Sequence, residues 1–303
     1  MGIPKILKII RVHIVAGGAL AFSLGALLAV TSGGRLDPTH IALGYAVVLL
    51  GDLSTHYSND YFDVDVDKYV ERKKFFSGST ILVTNPRLRP LSKHISILLL
   101  VLSNILAAAI VLFIGAPMEF LLIALGANFL GWAYSAPPFR LISRGFGEIV
   151  VAVVTGFAIP GIGYLTVRGQ LDPLFAYFAV PFIMYGLILI LSLEAPDLEI
   201  DRKGGKRNFF VRKGEHRVFS VILVAALLAT VIFFVYAWQI TQAALNLEIV
   251  ALFSIVPLAA GLLGFARVFQ KKDVNRFSTL NITSLFLFNV LMVTYLVAVV
   301  LTA

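Results

Sequence analysis

Two short acidic runs interrupt an otherwise apolar chain: Asn59-Asp60-Tyr61-Phe62-Asp63-Val64-Asp65-Val66-Asp67 and Asp197-Leu198-Glu199-Ile200-Asp201. On a continuous helix Asn59, Asp63 and Asp67 fall at i, i+4 and i+8. Asp60 lies three residues before Asp63, so the four share one stripe and Asp65 turns away. Asp52 and His56 extend that stripe upstream in steps of four. In the second run Glu194, Asp197 and Asp201 share a face, and Glu199 leaves it. Carboxylates stacked in this way repel one another and need cations. Oxygen-only donor sets suit a hard cation such as Mg2+, which takes one or two carboxylates and completes its shell with water and phosphate. Two such runs meeting at one place could hold a diphosphate through metal ions. The plainer alternative is surface ion pairing with the basic residues of the following loops. Matched spacing in two clusters at equivalent helix ends favours the metal–diphosphate reading.

The elements that must position these acids follow from composition. Of 303 residues 59% are hydrophobic and 14% charged, and the mean hydropathy is +0.91. Soluble domains carry about a quarter charged residues. The chain therefore reads as an all-α polytopic membrane protein, one transmembrane domain over residues 1–303, with no composition shift to mark a second. The absence of cysteine excludes disulfides and thiolate metal sites. Nine apolar stretches long enough to span a bilayer are expected at 12–31, 39–60, 94–115, 118–136, 146–166, 172–195, 216–237, 245–267 and 278–301. The first is read as a retained helix rather than a cleaved signal. Alternate connections hold all but Arg35 and Arg168 of the 25 basic residues. By the positive-inside rule this puts the N-terminus in the cytoplasm and the C-terminus outside. Both acidic runs then open into the cytoplasm, where the 2–3 and 6–7 loops are expected to form a cap.

The first run, Asn59-Asp60-x-x-Asp63-x-x-x-Asp67, and the second, Asp197-x-x-x-Asp201, resemble the two signatures of the UbiA superfamily of intramembrane aromatic prenyltransferases. Arg11, Tyr134-Ser135-Ala136-Pro137-Pro138-Phe139-Arg140, Arg144-Gly145-Phe146-Gly147-Glu148 and Asp201-Arg202-Lys203-Gly204-Gly205-Lys206-Arg207 resemble further segments of it, so the likeness spans most of the chain. Phe76-Ser77-Gly78-Ser79 and Leu91-Ser92 are closest to the MenA-like branch, which prenylates dihydroxynaphthoate in menaquinone biosynthesis. The archaeal branch that prenylates a glycerophosphate ether ranks second, because Tyr69 to Lys74 lacks its Asn-Arg-Pro run. Leu193-Glu194 departs from the Asn-Asn that relatives carry before the second signature.

The resemblance implies Mg2+-dependent transfer of a polyprenyl group from an allylic diphosphate to an aromatic quinone precursor, through an allylic cation, in the membrane. Two Mg2+ ions are expected, one held by Asn59, Asp60, Asp63 and Asp67 and one by Asp197 and Asp201. Asn59, Arg72, Arg140 and Lys206 are expected on the diphosphate, and Tyr134 facing the cation or the diphosphate. The bilayer is the expected medium, with neither nucleic acid nor an obligate protein partner. Asp52 beside His56 reads as an acceptor-side base or a structural hydrogen bond. Asn128, Trp132 and Ser135, at i, i+4 and i+7, read as interhelical packing groups, and Glu148 as a helix-dipole partner. Phe, at 24 residues, could line a tunnel or face lipid. Of the rival classes, a secondary transporter places its acids at the midplane rather than at helix ends, and a lipid or quinone carrier needs no catalytic acids.

Overall fold

The computed structural model describes residues 4–70, 79–239, 245–268, 270 and 273–302. Among them the chain is helical, with no strand. In lipid every backbone polar group needs a partner within the protein, and a helix supplies it internally. Among the described residues, nine long helices lie where the apolar stretches predict them: α1 Val12–Thr31, α2 Pro38–Phe62, α3 Arg89–Ala109, α4 Met118–Ser135, α5 Gly147–Arg168, α6 Pro173–Glu194, α7 Glu215–Gln239, α8 Leu247–Val268 and α9 Val274–Thr302. Eight helical segments among the described residues are long and apolar enough to cross a membrane. The remaining one, α2, has 25 residues, but Asp52, His56, Asn59 and Asp60 dilute its apolar character. Helix α3 begins earlier than expected, at Arg89, because Pro90 is tolerated in a first turn.

Local chemistry sets the boundaries. Asp37 and Asp172 each precede a proline and cap the helix that follows: Asp37 accepts from the His40 N–H at 2.9 Å, and Asp172 from the N–H groups of Leu174 and Phe175 at 3.0 and 3.3 Å. The shared stripe of the first acidic run supposes a helix that continues through it, and α2 does not. It stops at Phe62, bends at Asp63 (φ −96°, ψ 5°) and resumes as a single turn, Val64–Asp67. In α6 Pro196 has no N–H to donate, so residues Ala195–Asp197 tighten to a 3₁₀ turn before a short helix, Leu198–Lys203.

The helices pack as a ring in which α9 returns against α1. Helices α1 and α5 approach so closely that their glycines interlock. A Cβ on Gly25 would lie 1.8 Å from the Pro160 carbonyl oxygen, and one on Gly163 would lie 2.2 Å from that of Phe22. Phe178, Tyr185, Phe233 and Phe288 fill the space between α6, α7 and α9, with ring centroids 4.8–6.4 Å apart. The outer surface carries large apolar residues such as Leu112, Phe113 and Trp238, as a lipid-facing wall requires. The protein is a multi-pass integral membrane protein.

At one end of the ring the short helices Val64–Asp67, Ile81–Thr84, Leu198–Lys203 and Phe209–Lys213 form the cap expected from the 2–3 and 6–7 loops. The two loops touch where a Cβ on Gly204 would meet Val66 Cγ1 at 2.7 Å.

Candidate active site

Under that cap the two acidic runs meet around one ammonium. Lys206 Nζ lies 2.9 Å from Asp63 Oδ2 and 3.3 Å from Asp201 Oδ1, and Lys206 is only 9% exposed. Burial pulls its pKa down, but the charges of Asp63 and Asp201 outweigh that and hold it above the ordinary lysine range. Asp60 has a different cation: Arg11 Nη2 sits 2.7 Å from its Oδ1. Arg11 also donates to Asn59 Oδ1 at 3.3 Å, and the Asn59 amide donates to Asp63 Oδ2 at 3.3 Å and to Ser135 Oγ at 2.9 Å. On the other side Asn208 donates to Asp201 Oδ2 at 2.7 Å while capping Phe209–Lys213 through the Val211 N–H.

Asp60, Asp63, Asp67 and Asp201 are all buried, four carboxyl groups facing the two cations Arg11 and Lys206. Burial, and then the charges of Asp60 and Asp63, push the Asp67 carboxyl up to about 8, against the weaker pull of Lys206 and Arg11. Asp60 Oδ2 and Asp63 Oδ1 are buried without a hydrogen-bond partner. An excess of buried, under-coordinated carboxylate oxygen fits a hard divalent cation. No three acidic or histidine side chains among the described residues form a closed metal cage, so such an ion would draw its remaining ligands from water and phosphate, as Mg2+ does.

The other expected site residues fall into place unevenly. Asp197 is half-buried in the turn Ala195–Asp197. Tyr134, at the end of α4, lies in the field of Glu194, Lys206, Asp63 and Asp201. Arg140 has a left-handed backbone (φ 41°), and its Nε is buried without a hydrogen-bond partner. It is a cation paired with no carboxylate among the described residues. Arg72 lies outside the described residues. Asp65 and Glu199 point to the surface, 3.7 Å from Lys68 and 3.2 Å from Arg202. Asn59 is held by its three partners, so it positions Asp63 and Arg11 as much as it offers an oxygen. Asn128 donates to Ser103 and Asn104 at 2.9 and 2.6 Å, which is interhelical packing.

Three features were missed from the sequence. Arg11 neutralises Asp60 across 49 positions of chain, and nothing local announces a pairing at that range. Asn208 carried a readable signal, an N-cap residue before an apolar run. Glu148 was read as a dipole partner, but it is buried, accepts from the Phe209 N–H and faces Glu194. It ties α5 to the cap.

The UbiA prenyltransferase family matches residues 19–290. A UbiA homolog from Archaeoglobus fulgidus, solved bound to DMAPP and Mg2+, superposes with a TM-score of 0.73 over 99% of this chain and 100% of its own, at 20% identity. The apo UbiA homolog from Aeropyrum pernix K1 gives 0.67 over 92% and 98%, at 13% identity. Among curated proteins, the digeranylgeranylglyceryl phosphate synthase of Pyrococcus abyssi (strain GE5 / Orsay) is 26% identical over 232 residues, 76% of each chain. With nine-tenths of its length inside one family, and with that family's fold around its two acidic runs, the chain belongs to the UbiA prenyltransferase family and is a membrane-embedded prenyltransferase.

Proposed function

We propose that the protein transfers a prenyl group from an allylic diphosphate to a hydroxyl-bearing acceptor at the capped end of the bundle, with Mg2+ as cofactor. The observation that carries this is the double contact of Lys206 with Asp63 and Asp201, which supports a single diphosphate shared by both acidic runs. Asp60, Asp63 and Asp67 from the first run and Asp197 and Asp201 from the second would hold Mg2+. Bound there, Mg2+ would neutralise charge developing on the departing diphosphate. The chain's own cations add to that: Lys206 and Arg140 donate to phosphate oxygens, and Arg72 is placed with them on sequence grounds. Tyr134 and the cap keep bulk water from the allylic cation. The prenyl tail, at about 0.8 kcal/mol per buried methylene, stays in the hydrocarbon, which is why a membrane bundle hosts the reaction. Residues 1–303 act as one unit, with the capped end in the cytoplasm by the charge bias of the loops.

Two acceptors each have an observation in their favour. The Pyrococcus abyssi relative, named for a glycerophosphate product, favours a glycerophosphate ether. Leu91-Ser92 and the Phe76 to Ser79 run favour a dihydroxynaphthoate. Purified protein incubated with geranylgeranyl diphosphate, Mg2+ and each acceptor decides between them. Diphosphate release coupled to prenylated product is expected in one arm and not in a chelator control. Transport of either acceptor with no product formed would sink the reading.

A further inference from the structure

Two turns deeper in α2 than the acidic run lies a carboxylate the reaction has not yet used. Asp52 sits in the membrane-spanning part of the helix, and no hydrogen bond reaches it among the described residues. Its one polar neighbour in ion-pair range is His56 Nε2, 3.5 Å from Asp52 Oδ1. His56 is 3% exposed and its Nε2 makes no hydrogen bond. The Arg11 backbone N–H donates to His56 Nδ1 at 3.4 Å, so the ring proton resides on Nε2 and points at Asp52. The one basic nitrogen of the neutral imidazole, Nδ1, is thus already engaged by a backbone N–H. The other oxygen, Oδ2, looks toward α1, where a Cβ on Gly18 would lie 3.9 Å from it, so the glycine leaves a gap about one methyl group wide. The Asp52 side chain keeps 19% of its surface open. The charged and titratable groups around it among the described residues are Arg11 just before α1, His13 in α1, and Tyr45 and His56 in α2. An ionisable group left this poorly satisfied at membrane depth is a functional candidate by default. Arg11 links the two places: its backbone holds His56 while its guanidinium holds Asp60. Along the helix Asp52 stands about 12 Å from Asp60.

We propose that the gap Gly18 of α1 leaves beside Asp52 receives the hydroxyl group of the prenyl acceptor, and that Asp52 takes the hydroxyl proton. This rests on the prenyl-transfer reading above. In the step, the acceptor O–H bond breaks and its proton passes to Asp52. The oxygen's electron pair forms the new bond to the allylic carbon, directly in an alcohol or through the ring in a phenol, which then returns its ring proton to oxygen. The carbon–oxygen bond to diphosphate breaks, and its pair leaves with the diphosphate. His56 is a positioning residue in this scheme.

The test compares wild type, Asp52→Asn, Asp52→Glu and Gly18→Val with geranylgeranyl diphosphate and Mg2+. One arm contains a glycerophosphate ether and the other a dihydroxynaphthoate, and geranylgeranyl diphosphate affinity is measured separately by titration. Asp52→Asn is expected to lower transfer by about 100-fold or more in the arm where wild type works, with diphosphate affinity within about twofold. Asp52→Glu should recover part of the loss, and Gly18→Val should raise the acceptor KM about tenfold while leaving that of the diphosphate unmoved. Transfer by Asp52→Asn within about threefold of wild type overturns the proposal. So does a parallel loss of diphosphate affinity, which would make Asp52 merely structural. If Asp52→Asn does not fold, an unchanged acceptor KM in Gly18→Val overturns it. Wild type inactive in both arms removes the transferase reading itself, a distinct result.

Discussion

The first acidic run and the second have nearly the same spacing and are neutralised in different ways. Asp60 and Asp63 receive cations from remote parts of the chain, Arg11 before α1 and Lys206 in the cap. Asp201 shares Lys206 and otherwise leans on a neutral amide, Asn208. Its upstream neighbour on that face, Glu194, meets another acid, Glu148. Among the described residues, the first run thus draws on two cations, Arg11 and Lys206, and Asp201 only on the second of them. Equal sequence motifs do not make equal electrostatic sites: what differs is which distant residue the fold brings alongside.

The comparison can be broken most sharply at its shared member. Asp63→Ala and Asp201→Ala should each reduce transfer by more than about 1,000-fold, and Lys206→Met by about 100- to 1,000-fold, measured as prenylated product per minute. If Lys206→Met spared activity, the two runs would not act on one diphosphate. Next in size, Arg11→Gln touches the first run alone. It should cut transfer about tenfold to 100-fold and weaken Mg2+ binding, read by calorimetry, whereas Asn208→Ala should weaken it less.

A third outcome follows from Asp67. Its carboxyl holds a proton up to about pH 8 in the fold and only to 3.8 as an ordinary aspartate. Without metal, the folded protein therefore binds more protons than the unfolded chain and loses stability as pH rises from about 4 to 8. Because Mg2+ competes with that proton, apparent Mg2+ affinity should rise by up to about tenfold per pH unit toward 8. Asp67→Asn should flatten the slope in a Mg2+ titration run at several pH values. The smallest effects belong to Asp65→Ala and Glu199→Ala, both on the surface, which should stay within about twofold of wild type. Damage equal to that of Asp63→Ala would mean that the shared-face argument is wrong.

Most of the fold was legible because span length and hydropathy leave little choice in lipid. Helix α2 was legible too, although its polar half makes it the least apolar of the nine. The bend at Asp63 was not, since helical periodicity carries no record of where a cap takes over. The acids themselves could be read from their spacing. Their neutralising partners could not: Lys206 is one of many basic residues in a cap loop, and 143 positions separate it from Asp63. The packing of Gly204 on Val66 and the tie between Glu148 and the Phe209 N–H hold its loop against the rest of the site.

The interlocked pair Gly25 and Gly163 has a consequence for anyone reading a mutational scan of this enzyme. Each presses against main-chain atoms of the opposite helix, which cannot swing aside as a flexible side chain can. Even alanine there should be rejected as firmly as a lost catalytic acid. Intolerance at these two positions will report how tightly two membrane segments are bolted together, and it should not be mistaken for a role in substrate turnover.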